Sequence, residues 1–109
     1  LVEQAINEAK KMADCEDLKI KALVSTIVKQ NEKALHQWAE KYKVETHFYD
    51  NTIMQNVIDK YKLPESNFVK KQIGIGNVCQ AAILAYNERA KIILPKTKFE
   101  KVTVSLAWE

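Results

Sequence analysis

The stretch Gln72–Asn87, QIGIGNVCQAAILAYN, decides how the rest of the chain is read. It carries both of the chain's glycines, Gly74 and Gly76, then Asn77, then a nearly unbroken apolar run from Val78 to Tyr86. Glycine reaches positive φ and lets other atoms come close to the backbone. A short apolar strand entering the glycines and a helix leaving them reads as a tight strand-to-helix turn, with Asn77 as the cap. The first amides of such a helix lack intrahelical partners and lie at the positive end of its dipole. Beside the glycine amides they can hold a carboxylate or phosphate. The pattern is not a dinucleotide fingerprint, because the third glycine is missing and no acidic residue follows at a suitable distance. A glycine turn with an asparagine cap also serves simply as a way into a helix.

Working outward, strand and helix alternate. Val2, Ala5, Ile6, Ala9, Met12 and Ala13 fall at helical spacing with Glu3, Asn7, Lys10 and Lys11 turned outward. Ile20–Val28, IKALVSTIV, is rich in β-branched residues and reads as a buried strand. Asn31 and Glu32 open a helix with Ala34, Leu35, Trp38, Ala39 and Tyr42 on its inner stripe. Val44–Tyr49 alternates as a strand does, and Asp50 or Asn51 caps a helix carrying Ile53, Met54, Val57, Ile58 and Tyr61. Leu63-Pro64 ends it, since the residue before proline resists the helical conformation. After the glycines and their helix come two strands, AKIILP and KVTVSLAW, joined by the basic turn KTKFE. That link is too short for a crossover helix, so the pair is expected to be antiparallel. The fold class is α/β, a three-layer α/β/α domain with a mixed sheet.

At 109 residues, 47% hydrophobic and 28% charged, the chain is one ordinary globular domain. Seventeen basic residues against fourteen acidic ones give a net charge of +3, too slight to argue for nucleic acid. Cys15 and Cys79 form no CxxC pair, so free thiols in a reducing, cytoplasmic setting are expected, with no metal site. No run is long enough to span a membrane. The opening at Leu1, at or just before a helix, reads as the start of a fragment that lacks its first strand. His36 lies on a charged helix face and His47 in a strand, and no His/Asp/Ser grouping suggests a nucleophile. Cys79, beside a helix start, is either a small core residue or a thiol of lowered pKa.

The last third, from Gly74 on, resembles the C-terminal domain of the CbiG/CobE family of cobalamin biosynthesis. In that family a glycine-rich turn leads into a Val-Cys-Glu-Ala-Ala-like helix, a short apolar strand ending in Pro-Lys, and a Val-Thr-Val-Ala-type final strand. Here these are Gly74 and Gly76, Val78-Cys79-Gln80-Ala81-Ala82, Leu94-Pro95-Lys96, and Val102-Thr103-Val104-Ser105. Upstream, LVSTIVKQNEKAL is similar to the family's strand-Thr-x-x-Lys-x-x-Glu segment and supplies Thr26, Lys29 and Glu32. Two features depart from the pattern. Gln80 stands where the family often has glutamate, and the family's first strand with its Gly-Cys-Arg-type loop has no counterpart.

The resemblance implies the anaerobic corrin pathway and a parent cobalt-precorrin-5A hydrolase, which opens a lactone ring with water and releases acetaldehyde. The substrate would be a macrocycle edged with carboxylates and carrying its own cobalt, so no cofactor is expected. Gly74, Gly76, Asn77, Val78 and Gln80 would form one substrate-binding corner. Lys96 and Lys98 would pair with further carboxylates from the loop after a strand, and Thr26 and Lys29 would join them if their strands are neighbours. These lysines also read as solvated turn residues, and Thr26 as a strand-end residue satisfying backbone groups. Glu32 is a weak candidate for the general base, and no catalytic residue is otherwise evident. The expected partners are a tetrapyrrole or corrinoid intermediate and other domains of the parent or other pathway enzymes, with neither nucleic acid nor membrane. The alternatives are a non-catalytic module that binds or carries corrinoid intermediates, and a structural domain docked to a longer protein.

Overall fold

Two segments bearing Val, Thr and aromatic residues, Ala22–Thr26 (β1) and Glu45–Tyr49 (β2), form a parallel pair in which Ala22 lies opposite Glu45 and Thr26 opposite Tyr49. A parallel pair needs a crossover, and the helix Lys33–Tyr42 (α2) supplies it. Lys91–Phe99 (β3) and Val102–Trp108 (β4) form the expected antiparallel pair. Both pairings of a mixed sheet are thus present, as two separate two-stranded ladders among the described residues. The computed structural model describes residues 2–17, 19–99 and 102–108.

The helices Val2–Met12 (α1), Asn51–Tyr61 (α3), Asn67–Ile73 (α4) and Cys79–Tyr86 (α5) complete the fold. Two apolar clusters lie on opposite sides of β1. Leu23 packs with Trp38, Ala39 and Val44 and with Val2 and Ile6 of α1. Its neighbour Val24 packs with Met54, Val57 and Ile58 of α3 and Ala81, Ala82 and Leu84 of α5. Successive strand residues point to opposite faces, so this division makes β1 the middle of three layers. Each fully buried large side chain, such as Met54 or Ile58, contributes about 1.5–3 kcal/mol.

Most element boundaries follow local chemistry. The Asp50 side chain accepts the Ile53 amide and starts α3; Lys62 ends it in the left-handed conformation, just ahead of Leu63-Pro64. The expected strand Ile20–Val28 is shorter, because Thr26 caps a 3-10 turn over Ile27–Lys29. Two expectations are overturned. The short apolar strand expected to enter the glycines is instead helical, Gln72 and Ile73 being the end of α4, which the Ser66 hydroxyl starts by accepting the Val69 amide at 3.4 Å. The glycine turn therefore joins two helices. KTKFE is not a turn either, since β3 runs on through Phe99 and Pro95 is accommodated between two register shifts. Glu100 and Lys101 lie outside the described residues. No helix among them is long and apolar enough to cross a membrane.

Candidate functional site

Gly74 ends α4 at φ 98°, and a Cβ there would stand 2.7 Å from Asn51 Nδ2. That Asn51 nitrogen instead donates to Ile73 O at 2.8 Å. Gly76 meets a different constraint. Its carbonyl accepts the Ser66 amide at 2.7 Å, and a Cβ would lie 2.5 Å from Glu65 Cβ and 3.0 Å from Glu65 Cα. Its bare Cα lets two backbone segments touch. Asn77, 1% exposed, closes the corner. Its Nδ2 donates to Pro64 O at 2.9 Å and Gln80 Oε1 at 3.1 Å, while its Oδ1 accepts the Gln80 amide at 3.1 Å. The capping expected of Asn77 is therefore present, although both ends of its side chain are engaged inside the protein.

Behind this corner lies a cavity of about 720 Å3. Gly76, Asn77, Val78 and Cys79 border it on the α5 side, Lys29 and Glu32 beyond the end of β1, and Lys96 on β3. Most of its wall is apolar, including Val2 and Ile6 of α1, Ile83 of α5 and Trp38 and Trp108. Asn77 holds the Gln80 amide, and Val78 and Cys79, at the start of α5, line the cavity. Lys29 lies 4.0 Å from Glu32, both partly exposed. Lys29 and Lys96 both bear electrostatically on the Cys79 thiol.

The expected residues thus separate. Lys29, Lys96, Gly76, Asn77, Val78 and Glu32 share one cavity. Gly74 borders a second, smaller cavity of about 330 Å3 with Asn51 and Gln55. Gln80 is buried against Asn77, off the wall of the larger cavity. Thr26 is fully buried and its hydroxyl accepts the Val28 amide at 3.3 Å. Lys98, past the irregularity between Leu94 and Thr97, is exposed and lies off that wall. Neither lysine sits in a loop after a strand; both are in β3.

Burial pushes the Cys79 thiol up to about 11, against the opposing pull of Lys29 and Lys96. A protonated thiol donating to Thr103 O at 3.4 Å is a packing group and not a nucleophile at neutral pH. Sequence reading missed the cavity's two side walls, Ala22–Ser25 of β1 and Thr103–Trp108 of β4. The absence of charge, glycine and proline from both runs was the available signal.

The fold agrees with the comparisons to known proteins. The family described as the cobalamin synthesis G C-terminus matches residues 1–107, and the chain belongs to that family, a domain of cobalamin biosynthesis. Among solved structures the fold matches that of CobE, a protein from the cobalamin (vitamin B12) biosynthetic pathway. The match has a TM-score of 0.78 at 22% identity and covers 97% of this chain and 76% of the other. No curated protein matches the chain.

Proposed function

We propose that this domain binds a carboxylated corrinoid intermediate at the cavity rim formed by Lys29, Lys96 and the start of α5. The observation that carries the reading is that two lysines and the start of a helix line one largely apolar cavity, in a chain of a cobalamin-synthesis family. An acidic macrocycle asks for that combination. Its peripheral carboxylates pair with the ammonium groups through charge-assisted hydrogen bonds, the Val78 and Cys79 amides take another, and the ring face lies on the apolar wall. Cobalt arrives with the substrate.

Within the parent protein we assign this domain to the cobalt-precorrin-5A hydrolase reaction, in the cytoplasm. Lactone opening needs a base to activate water, and Glu32 is the carboxylate on the cavity wall among the described residues. A second reading, a non-catalytic carrier, is favoured by the pairing of Glu32 with Lys29 and by the protonated Cys79.

Titration with cobyrinic acid, followed by quenching of Trp38 and Trp108, tests binding. Lys29→Gln and Lys96→Gln are each expected to weaken it about tenfold, ~1.4 kcal/mol. Unchanged affinity in both variants, or no quenching of the intact chain, overturns the reading. Acetaldehyde release by the full-length parent separates the two forms: Glu32→Gln abolishes it if Glu32 is the base and leaves it intact if the domain only holds the ring.

A further inference from the structure

The larger cavity runs past both ends of β1. Lys29 and Glu32, which follow the strand, line it, and so do Lys19 and Lys21, which precede it. The helix α5 and the strand β4 fix the two ends independently. At the start of α5 the Cys79 thiol donates to Thr103 O, near the start of β4. At its last residue the Tyr86 hydroxyl donates to Glu45 Oε1 at 2.8 Å, and Glu45 lies opposite Ala22, the first residue of β1. Trp108, the last residue of β4, lies opposite Lys91, which opens β3 shortly after α5. Tyr86, Ala90 and Trp108 therefore mark the same end of the cavity as Lys19 and Lys21. Cys79 and Thr103 mark the end that carries Lys29 and Lys96.

We infer that Lys19, Lys21 and Trp108 form a second anion subsite, which takes carboxylates on the edge of the macrocycle opposite the edge held by Lys29 and Lys96. The inference rests on the corrinoid binding proposed above and orients the ring within the cavity. Lys19 and Lys21 are exposed, on a wall that is otherwise mostly apolar. Among the described residues Lys19 has no ion-pair partner, so its ammonium group is open to a ligand. Lys21 bears electrostatically on Glu45, but that carboxylate is shared with Tyr86 at 2.8 Å and His47 at 3.4 Å. Trp108 is 50% exposed, a large apolar surface at the end of a strand. Its indole offers a face to a planar ring, and the lysines at the same end take carboxylates through charge-assisted hydrogen bonds.

Length makes this arrangement selective. Ala22 and Thr26, at the two ends of β1, stand about 13 Å apart at a strand rise of about 3.3 Å. A small carboxylic acid meets one lysine group only. A macrocycle with carboxylate arms on every edge reaches both, its face lying on the apolar wall between them, Leu23 and Val24 of β1 and Ile83 of α5. Once one edge is held, the other binds as an intramolecular event, so the two subsites reinforce each other.

Titration calorimetry with cobyrinic acid, and with its fully esterified form in which the carboxylates are blocked, separates the two ends. Lys19→Gln/Lys21→Gln is expected to weaken the acid about tenfold and leave the ester unchanged. Added to Lys29→Gln, the losses multiply to about 100-fold, as for independent sites. Lys19→Arg/Lys21→Arg keeps the charge and is expected to bind as the unaltered chain does. Trp108→Leu weakens acid and ester alike, by about fivefold. Full affinity in Lys19→Gln/Lys21→Gln while Lys29→Gln weakens binding overturns the second subsite and leaves the first standing. Two molecules bound per chain also overturn it, since each end would then act alone. So does equal loss in the glutamine and arginine forms, which would make the effect one of packing. No binding of the acid by the unaltered chain overturns the proposed function itself, and the second subsite with it.

Discussion

The glycine corner and the lysine rim lie on adjoining sides of α5, yet they differ in how far their polar groups are satisfied. At the corner, Gly76 O, both ends of the Asn77 side chain and the Gln80 amide have partners within the protein. Lys29 and Lys96 border a cavity, and among the described residues Lys29 has an ion-pair partner, at 4.0 Å, and Lys96 has none. A feature that stands out in sequence can be fully consumed by packing, while an ordinary lysine in a strand faces the open space. Glycine and asparagine build the corner; the lysines line the cavity beside it.

Substitutions can break this contrast, and the largest effect is expected at Gly76. Gly76→Ala drives a Cβ into the Glu65 backbone and should cost about 3 kcal/mol in urea unfolding. Asn77→Ala strands the Pro64 carbonyl and the Gln80 amide and should cost about 2 kcal/mol by the same measurement. If either variant kept full stability while losing corrinoid binding, the corner would be a ligand site after all.

Cys79 sharpens the contrast through pH. Burial raises its thiol from 9.0 to about 11, so the folded state keeps a proton that the unfolded state has released. That stabilisation is complete below pH 9 and disappears as pH climbs through 11; it is worth at most about 2 kcal/mol. Cys79→Ala should flatten this alkaline limb in thermal melts recorded from pH 8 to 11.5, and Cys79 should resist iodoacetamide at pH 8. Gly74→Ala, forced to positive φ, should cost about 1–2 kcal/mol. Lys96→Gln is expected to move stability by less than about 0.5 kcal/mol, its effect appearing in binding alone.

Periodicity made α1, α2 and α3 legible, and Asp50 marked the start of α3 correctly. The short KTKFE link pointed to the antiparallel pairing of β3 and β4, although its Lys96–Phe99 part belongs to β3. α4 was hidden because Val69, Ile73 and two nearby glycines mimic a strand running into a turn, whereas Ser66 and Gly74 cap a helix of only seven residues. Of the candidate site, Lys29, Glu32, Lys96 and Gly76–Val78 border one cavity, while Gly74, Gln80, Thr26 and Lys98 lie off it. Thr26 and Gln80 were not legible as internal partners, because what they touch depends on Val28 and Asn77 folding back onto them. Nor can any local pattern reveal that β1 and β4 border one cavity, since that is a property of two distant segments.

Site-resolved acetylation of lysines with and without cobyrinic acid tests most directly which groups meet the ligand. Ligand should protect Lys29 and Lys96 and leave Lys98, Lys70 and Lys71 unchanged. Protection confined to Lys70 and Lys71, which belong to the helix ending at Gly74, or uniform labelling at every lysine, would contradict the assignment.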